Sequence, residues 1–224
     1  MSIKIDPALF RFELEQLFAS RQGWYLMALV QFVLWMSAHK SSAGLYVGLP
    51  DYWSNYILIN GFCQSLILNL LVAGELLIKP KNEKTIEMML ASGVSLQTIA
   101  ATNVAVCASY NAFSLLLAFW ILGHFTIKPS FTAVHALSFL VVMALNLVTL
   151  VCAGFIALQT RYGSRLSGFF LLLSVAVSIA AAVFGFSLNT SPSFQFGLLF
   201  AACILAGLSL LLFRKLDREK VILS

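Results

Sequence analysis

The sequence predicts an all-α integral membrane protein of six transmembrane helices, with both termini in the cytoplasm. Three observations predict it: the composition, the spacing of the charges, and the one-sided distribution of Lys and Arg. Of 224 residues, 60% are hydrophobic and only 10% are charged, against about 25% charged in an ordinary soluble domain. A soluble fold of this length could not hide so much apolar surface, whereas a bilayer is itself an apolar solvent. The length suits a single transmembrane domain over 1–224, without a separate soluble catalytic module.

A spanning helix needs about 20 largely apolar residues. Arg21 and Lys40 bracket the first such stretch, which predicts a span over 22–39. Asp51 and Glu75 bracket the second, predicted over 53–78. After a short element broken at Ala91-Ser92-Gly93, a third span is expected over 98–125 and a fourth over 132–158. Between Arg165 and Arg214 the chain is too long for one helix at 1.5 Å per residue. The dense turn signal from Ser187 to Ser193 divides it into a fifth span, 168–186, and a sixth, 194–213. With this layout, twelve bases gather on one side: Lys4, Arg11, Arg21, Lys79, Lys81, Lys84, Arg161, Arg165, Arg214, Lys215, Arg218 and Lys220. Only Lys40 and Lys128 fall on the other. The positive-inside rule then puts both termini in the cytoplasm; the expected location is the plasma (inner) membrane. Trp24, Tyr52 and Trp53 stand at span ends, where amphipathic rings prefer to sit.

Two further elements read as cytoplasmic helices rather than spans. Asp6-Pro7 combines a capping carboxylate with proline at the first helical position. Phe10, Leu14, Leu17 and Phe18 then recur on one face, with Glu13, Glu15, Gln16 and Arg21 expected mainly elsewhere. Residues 6–21 therefore read as an amphipathic helix in the membrane interface. The second element covers 82–92: Lys79-Pro80-Lys81-Asn82 ends the second span, and Asn82 can cap a short helix. Ile86, Met89 and Leu90 share one face of it, Gly93 suits the left-handed residue that closes it, and Ser95 can cap the third span. Such a helix either presents side chains to a soluble partner or is an ordinary amphipathic connector.

Glu75, then Thr85-Ile86-Glu87-Met88-Met89-Leu90, then Gly93-Val94-Ser95 resembles the pattern around the coupling helix of ABC-2 type transporter permeases. In that family a Glu closes the second span, and Gly-Thr-(Leu/Ile)-Glu-x-Leu-Leu and Pro-x-Ser follow, leading to a Lys. Here Lys84 stands for the Gly, Gly93 for the Pro, and Asn103 near the Lys. The segment from Leu9 to Arg21 is similar to the family's amphipathic first helix, and the layout matches its small six-span members, among them the haem-exporter permeases of cytochrome c maturation. The resemblance implies an exporter subunit that pairs with a second permease chain and docks a separate ABC ATPase. Glu83, Thr85, Ile86, Glu87, Met88, Met89 and Leu90 would form the ATPase-coupling segment, and Glu75 an inner-boundary carboxylate paired with Lys79, Lys81 or a base of the first helix. ATP and Mg would belong to the partner. This chain has no Gly-x-x-x-x-Gly-Lys-(Ser/Thr): the nearest stretch, Gly163 to Gly168, continues with Phe169 where phosphate binding needs Lys.

No paired carboxylates or Ser/His/Asp set suggest catalysis on this chain, and no cofactor is expected on it. The bases lie in short segments between long uncharged runs, without interleaved aromatics, which argues against nucleic acid. Cys63, Cys107, Cys152 and Cys203 lie singly in apolar runs and read as small buried hydrophobes. Polar residues inside spans are costly unless paired. Gln31, Asn60, Gln64, Asn69, Asn103 and Asn111 are candidates for a translocation path, with hydrogen-bonding glue between helices as the competing role for each. Asn146 and Thr149 add polar positions to the fourth span. Ser174, Ser178 and Ala182, and the pairs Ala202/Ala206 and Cys203/Gly207, form small-residue rows suited to close helix packing. His39, His124 and His135 fall at outer span ends, where interfacial histidines without a ligand role are the common case. An uncharged path suits amphipathic or hydrophobic cargo such as a peptide, lipid-linked molecule, drug or haem. Two competing classes are a secondary transporter, which would call for an ionisable residue near mid-bilayer, and a membrane assembly subunit, which would need no polar lining.

Overall fold

The computed structural model describes residues 4–21, 24–25, 27–29, 31–32, 54, 57–74, 76, 79–83, 85–125, 133–160, 165, 168–169, 172–173, 176, 192–216 and 221. Every regular element among them is helical. In chain order these are α1 (Pro7–Ala19), a π-helical turn Ile57–Gly61 that leads into α2 (Phe62–Ala73), the one-turn α3 (Lys79–Asn82), α4 (Thr85–Ala91), α5 (Leu96–Phe125), α6 (Ala133–Gln159) and α7 (Pro192–Leu210), which tightens into a 3-10 turn over Leu211–Lys215. Three stretches are long and apolar enough to cross a membrane: Leu96–Trp120, Ala133–Gln159 and Ser193–Lys215. They coincide with the third, fourth and sixth expected spans. The second is represented by the helical run 57–74, while most of the first and fifth, with Ser174, Ser178 and Ala182, lie outside the described residues.

The helix ends follow from local chemistry. The Asp6 carboxylate accepts from the Ala8 and Leu9 N–H groups at 2.9 and 3.0 Å, with Pro7 opening the helix. This satisfies two of the donors every helix start leaves open. At the other end of α4, Val94 N–H bonds the Met89 carbonyl and Gly93 N–H that of Leu90, a Schellman closure. Gly93 sits at φ 90°, the left-handed region where a side chain would be strained. Ser95 then accepts from Thr98 N–H at 3.1 Å and starts α5. Residues 79–82 form a separate turn of helix, α3, in place of the expected plain end of the second span.

Three helices meet at the centre. A Cβ on Gly61 would touch Leu115 of α5 and Val142 of α6 at 3.5 and 3.7 Å, and Phe119 and Phe139 pack edge to face at 5.9 Å. Farther along, Asn69 reaches Asn111 and Asn146. α2 thus runs antiparallel to α5 and parallel to α6. Helix α7 lies against α6, with Ser138 donating to Gln195 near the start of both helices at 2.9 Å. Of its small residues, Ala202 and Ala206 are buried and Cys203 and Gly207 exposed, so only one of the two expected rows is a packing face. Helix α1 runs alongside the first half of α5 in the same direction. Asp6 N–H bonds Thr102 Oγ1 at 3.0 Å, and Phe18 meets Tyr110 and Phe113 with ring centroids 5.5 and 5.3 Å apart.

Candidate functional site

Two polar regions stand out inside this apolar bundle. The first is a seam of uncharged side chains where α2, α5 and α6 converge. Gln64 Nε2 and Gln31 Nε2 both donate to Ser114 Oγ, at 2.8 and 3.0 Å, and Gln31 also bonds the Ser114 carbonyl at 2.7 Å. Farther along α2, Asn111 Nδ2 donates to Asn69 Oδ1 and Asn69 Nδ2 to Asn146 Oδ1, a relay of three amides across three helices. Thr149 Oγ1 lies 3.3 Å from Asn69 Nδ2 and itself donates to the Asn146 carbonyl. Asn103 Nδ2 donates to the Leu76 carbonyl at 2.6 Å. All these amides are buried.

The expected path residues therefore divide. Gln31, Gln64, Asn69 and Asn111 come together in the seam, Asn103 serves the end of the second span, and the side chain of Asn60 lies outside the described set. The pairing is incomplete. Gln64 Oε1, Ser65 Oγ, Asn111 Oδ1 and Asn146 Nδ2 have no hydrogen-bond partner among the described residues. A chain of three amides consumes one donor and one acceptor at each junction, so it must end on one open acceptor and one open donor. Buried open groups of this kind cost about 1–3 kcal/mol each and are ready to bond a polar group that comes within reach.

The second region comprises α1, α3 and α4. Ile86 and Leu90 of α4 are buried and Met89 packs on the same apolar cluster. Glu83 and Met88 face out, Met88 with 65% of its surface exposed, and Glu87 is half-buried. The inner face is the one expected from the spacing; beyond it Glu83, Met88, Ala91 and Ser92 are exposed, and Thr85 and Glu87 are half-buried. Glu75 and Lys84 lie outside the described residues.

Lys81 is one of the candidate partners of Glu75, with Lys79 and the bases of the first helix, and that pairing lies outside the described residues. The Lys81 Nζ donates to the carbonyls of Ala157, Leu158 and Thr160 at 3.0, 3.1 and 3.0 Å. An ammonium has three protons, and here all three close the open carbonyls at the end of α6, where the helix dipole favours a cation. Burial lowers the Lys81 pKa from its ordinary value. No local signal announces this bond, because its partners are 76 to 79 residues away.

Glu13 departs from the expected pattern. It was expected off the packed face of α1, yet it is buried there with 7% exposure, facing α5 within electrostatic reach of Cys107. The exposed pair on α1 is Arg11 with Glu15, at 2.7 Å. Burial raises the Glu13 pKa above the ordinary carboxylate value. Among the outer-end histidines only His135 has a described side chain, and it is buried near the start of α6. No group of three or more potential metal ligands occurs among the described residues. No protein-family model, curated protein or solved structure matches the chain.

Proposed function

We propose that this chain is the membrane-spanning permease subunit of an ABC-2-like exporter. In this reading it pairs with a second permease chain in the plasma membrane and couples to a separate ATPase, moving amphipathic or hydrophobic cargo out of the cytoplasm. The observation that carries the reading is the division of α4. Its apolar residues Ile86, Met89 and Leu90 are anchored in the bundle while Glu83, Glu87 and Met88 are presented outward. A seven-residue helix fixed by a Schellman closure to α5 transmits a push from a soluble partner directly into that helix. The uncharged seam, with open donors and acceptors, supports the path half of the reading. The parallel run of α6 and α7 also fits, since the fourth and sixth spans of an alternating bundle point the same way.

The test compares outward and inward residues of α4. Met88→Arg and Glu87→Arg should abolish binding and stimulation of the ATPase while leaving the purified permease folded. Met89→Arg should instead lower the yield of folded protein. Undiminished ATPase binding and stimulation in Met88→Arg would overturn the reading. A second reading, transport driven by an ion gradient, has one observation in its favour: the buried carboxylate of Glu13. It predicts transport by the purified chain alone, without any ATPase.

A further inference from the structure

Glu13 is used neither by the seam nor by the outward face of α4. Its carboxylate is buried between α1 and α5, and it has no hydrogen bond or ion pair among the described residues. An ionised carboxylate in that position loses part of its hydration and gains no described partner in exchange, which disfavours the charged form. Protonation removes the cost. The helix that carries it is nevertheless held at both ends, by Asp6 on Thr102 and by Phe18 on Tyr110 and Phe113. Glu13 therefore sits at the middle of a contact whose two ends hold and whose centre, beside Leu14 and Leu17, favours the neutral acid over the charged one.

Among the described residues no cation faces the charge. Along the contact, the titratable side chains of α5 are Cys107 and Tyr110. On α1 itself, Arg11 and Glu15 pair with each other on the exposed side. Phe213, Leu216 and Val221 belong to the same apolar cluster and carry no charge, while Arg214 and Lys215 are exposed. Glu83 is exposed and Glu87 half-buried on α4.

We infer that Glu13 is a proton-binding site that controls whether α1 lies against α5. With the proton bound, the neutral acid is buried and α1 stays in contact. When the O–H bond breaks, the proton passes to water and the carboxylate pulls the centre of α1 toward solvent. The direction in pH follows. The group in contact holds its proton more tightly than a hydrated glutamate does, so the contact is at full strength below the ordinary glutamate range. It weakens as pH rises from there through the raised value. The binding of a proton would thus set the position of the helix that leads into the first expected span, whether or not an ATPase is bound.

The experiment uses the full chain in nanodiscs, with Cys152 and Cys203 replaced by serine. Spin labels are placed at Phe12→Cys on α1 and Leu116→Cys on α5, both on exposed positions. Pulsed electron resonance should give one short distance at low pH and a growing longer population as pH rises. In Glu13→Gln, which keeps shape but cannot ionise, the short distance should persist at every pH. Infrared spectra of the unlabelled chain should show a protonated carboxyl band that survives above the ordinary glutamate range and is lost in Glu13→Gln. A distance distribution that ignores pH in the wild type, one that shifts equally in Glu13→Gln, or a carboxyl band that remains in Glu13→Gln would each overturn the proposal.

Discussion

The two polar regions of this bundle handle burial in opposite ways. In the seam, neutral amides on α2, α5 and α6 bond one another, and only the ends of the relay are left open. In the second region, Lys81 is surrounded by three carbonyls whereas Glu13 has no partner among the described residues. The difference teaches what each kind of group can be for. Neutral groups can be shared and exchanged across helices at modest cost, so they suit a path. A fully partnered cation is a fixed joint. An unpartnered acid is a place where the protein changes state when a proton binds or leaves.

The largest expected effect comes from breaking the seam at its hub. Asn69→Leu strands the Asn111 donor and the Asn146 acceptor in an apolar interior, at about 1–3 kcal/mol for each orphaned group. Chemical denaturation of the detergent-solubilised chain should show the loss. The triple change of Asn69, Asn111 and Asn146 to Leu should recover most of that stability, because replacing both partners of a buried bond is nearly neutral. It should not recover transport. If the triple variant transports normally, the seam is glue between helices and not a path.

Next in size is Lys81→Met, which leaves three carbonyls at the end of α6 without their cation. The cost is about 1 kcal/mol, typical of a charge at a helix terminus, and should appear as faster amide exchange in the last turn of α6. Lys81→Arg should restore most of the protection. Glu13→Gln comes third and has a sign that depends on pH: unchanged stability in acid, and a gain at neutral pH where the wild type must ionise a buried group or expel it. Thermal melts across pH check this, and parallel curves for the two proteins would contradict it. Smallest is Met88→Arg, a substitution on an exposed surface that should change stability by less than about 0.5 kcal/mol. Its effect should be confined to the partner.

Much of the fold was legible because its signals are local. The Asp6-Pro7 start, the left-handed Gly93 and the Ser95 cap each act within three or four residues. The apolar runs that became α5, α6 and α7 needed only length and charge spacing. The polar positions of the seam could be named from sequence, but not their pairings, since Asn69 meets partners 42 and 77 residues away. The carbonyl partners of Lys81 and the burial of Glu13 were not legible for the same reason. Periodicity around α1 separates apolar from charged positions only on average, and Glu13 lies beside Leu14 and Leu17 at the edge of the apolar face. Which way that edge turns was decided by α5, through Thr102 at one end and Tyr110 and Phe113 at the other.

The central claim is that α4 is where a soluble ATPase meets this membrane bundle. A photo-reactive residue at position 88 tests it in native membranes, because that side chain is 65% exposed. The expected result is a covalent adduct with an ATP-binding subunit, weakened by Glu87→Arg, and none from the same residue placed at the exposed position Phe200 of α7. Equal capture from positions 88 and 200, or an adduct at 88 that holds no ATP-binding protein, would contradict it.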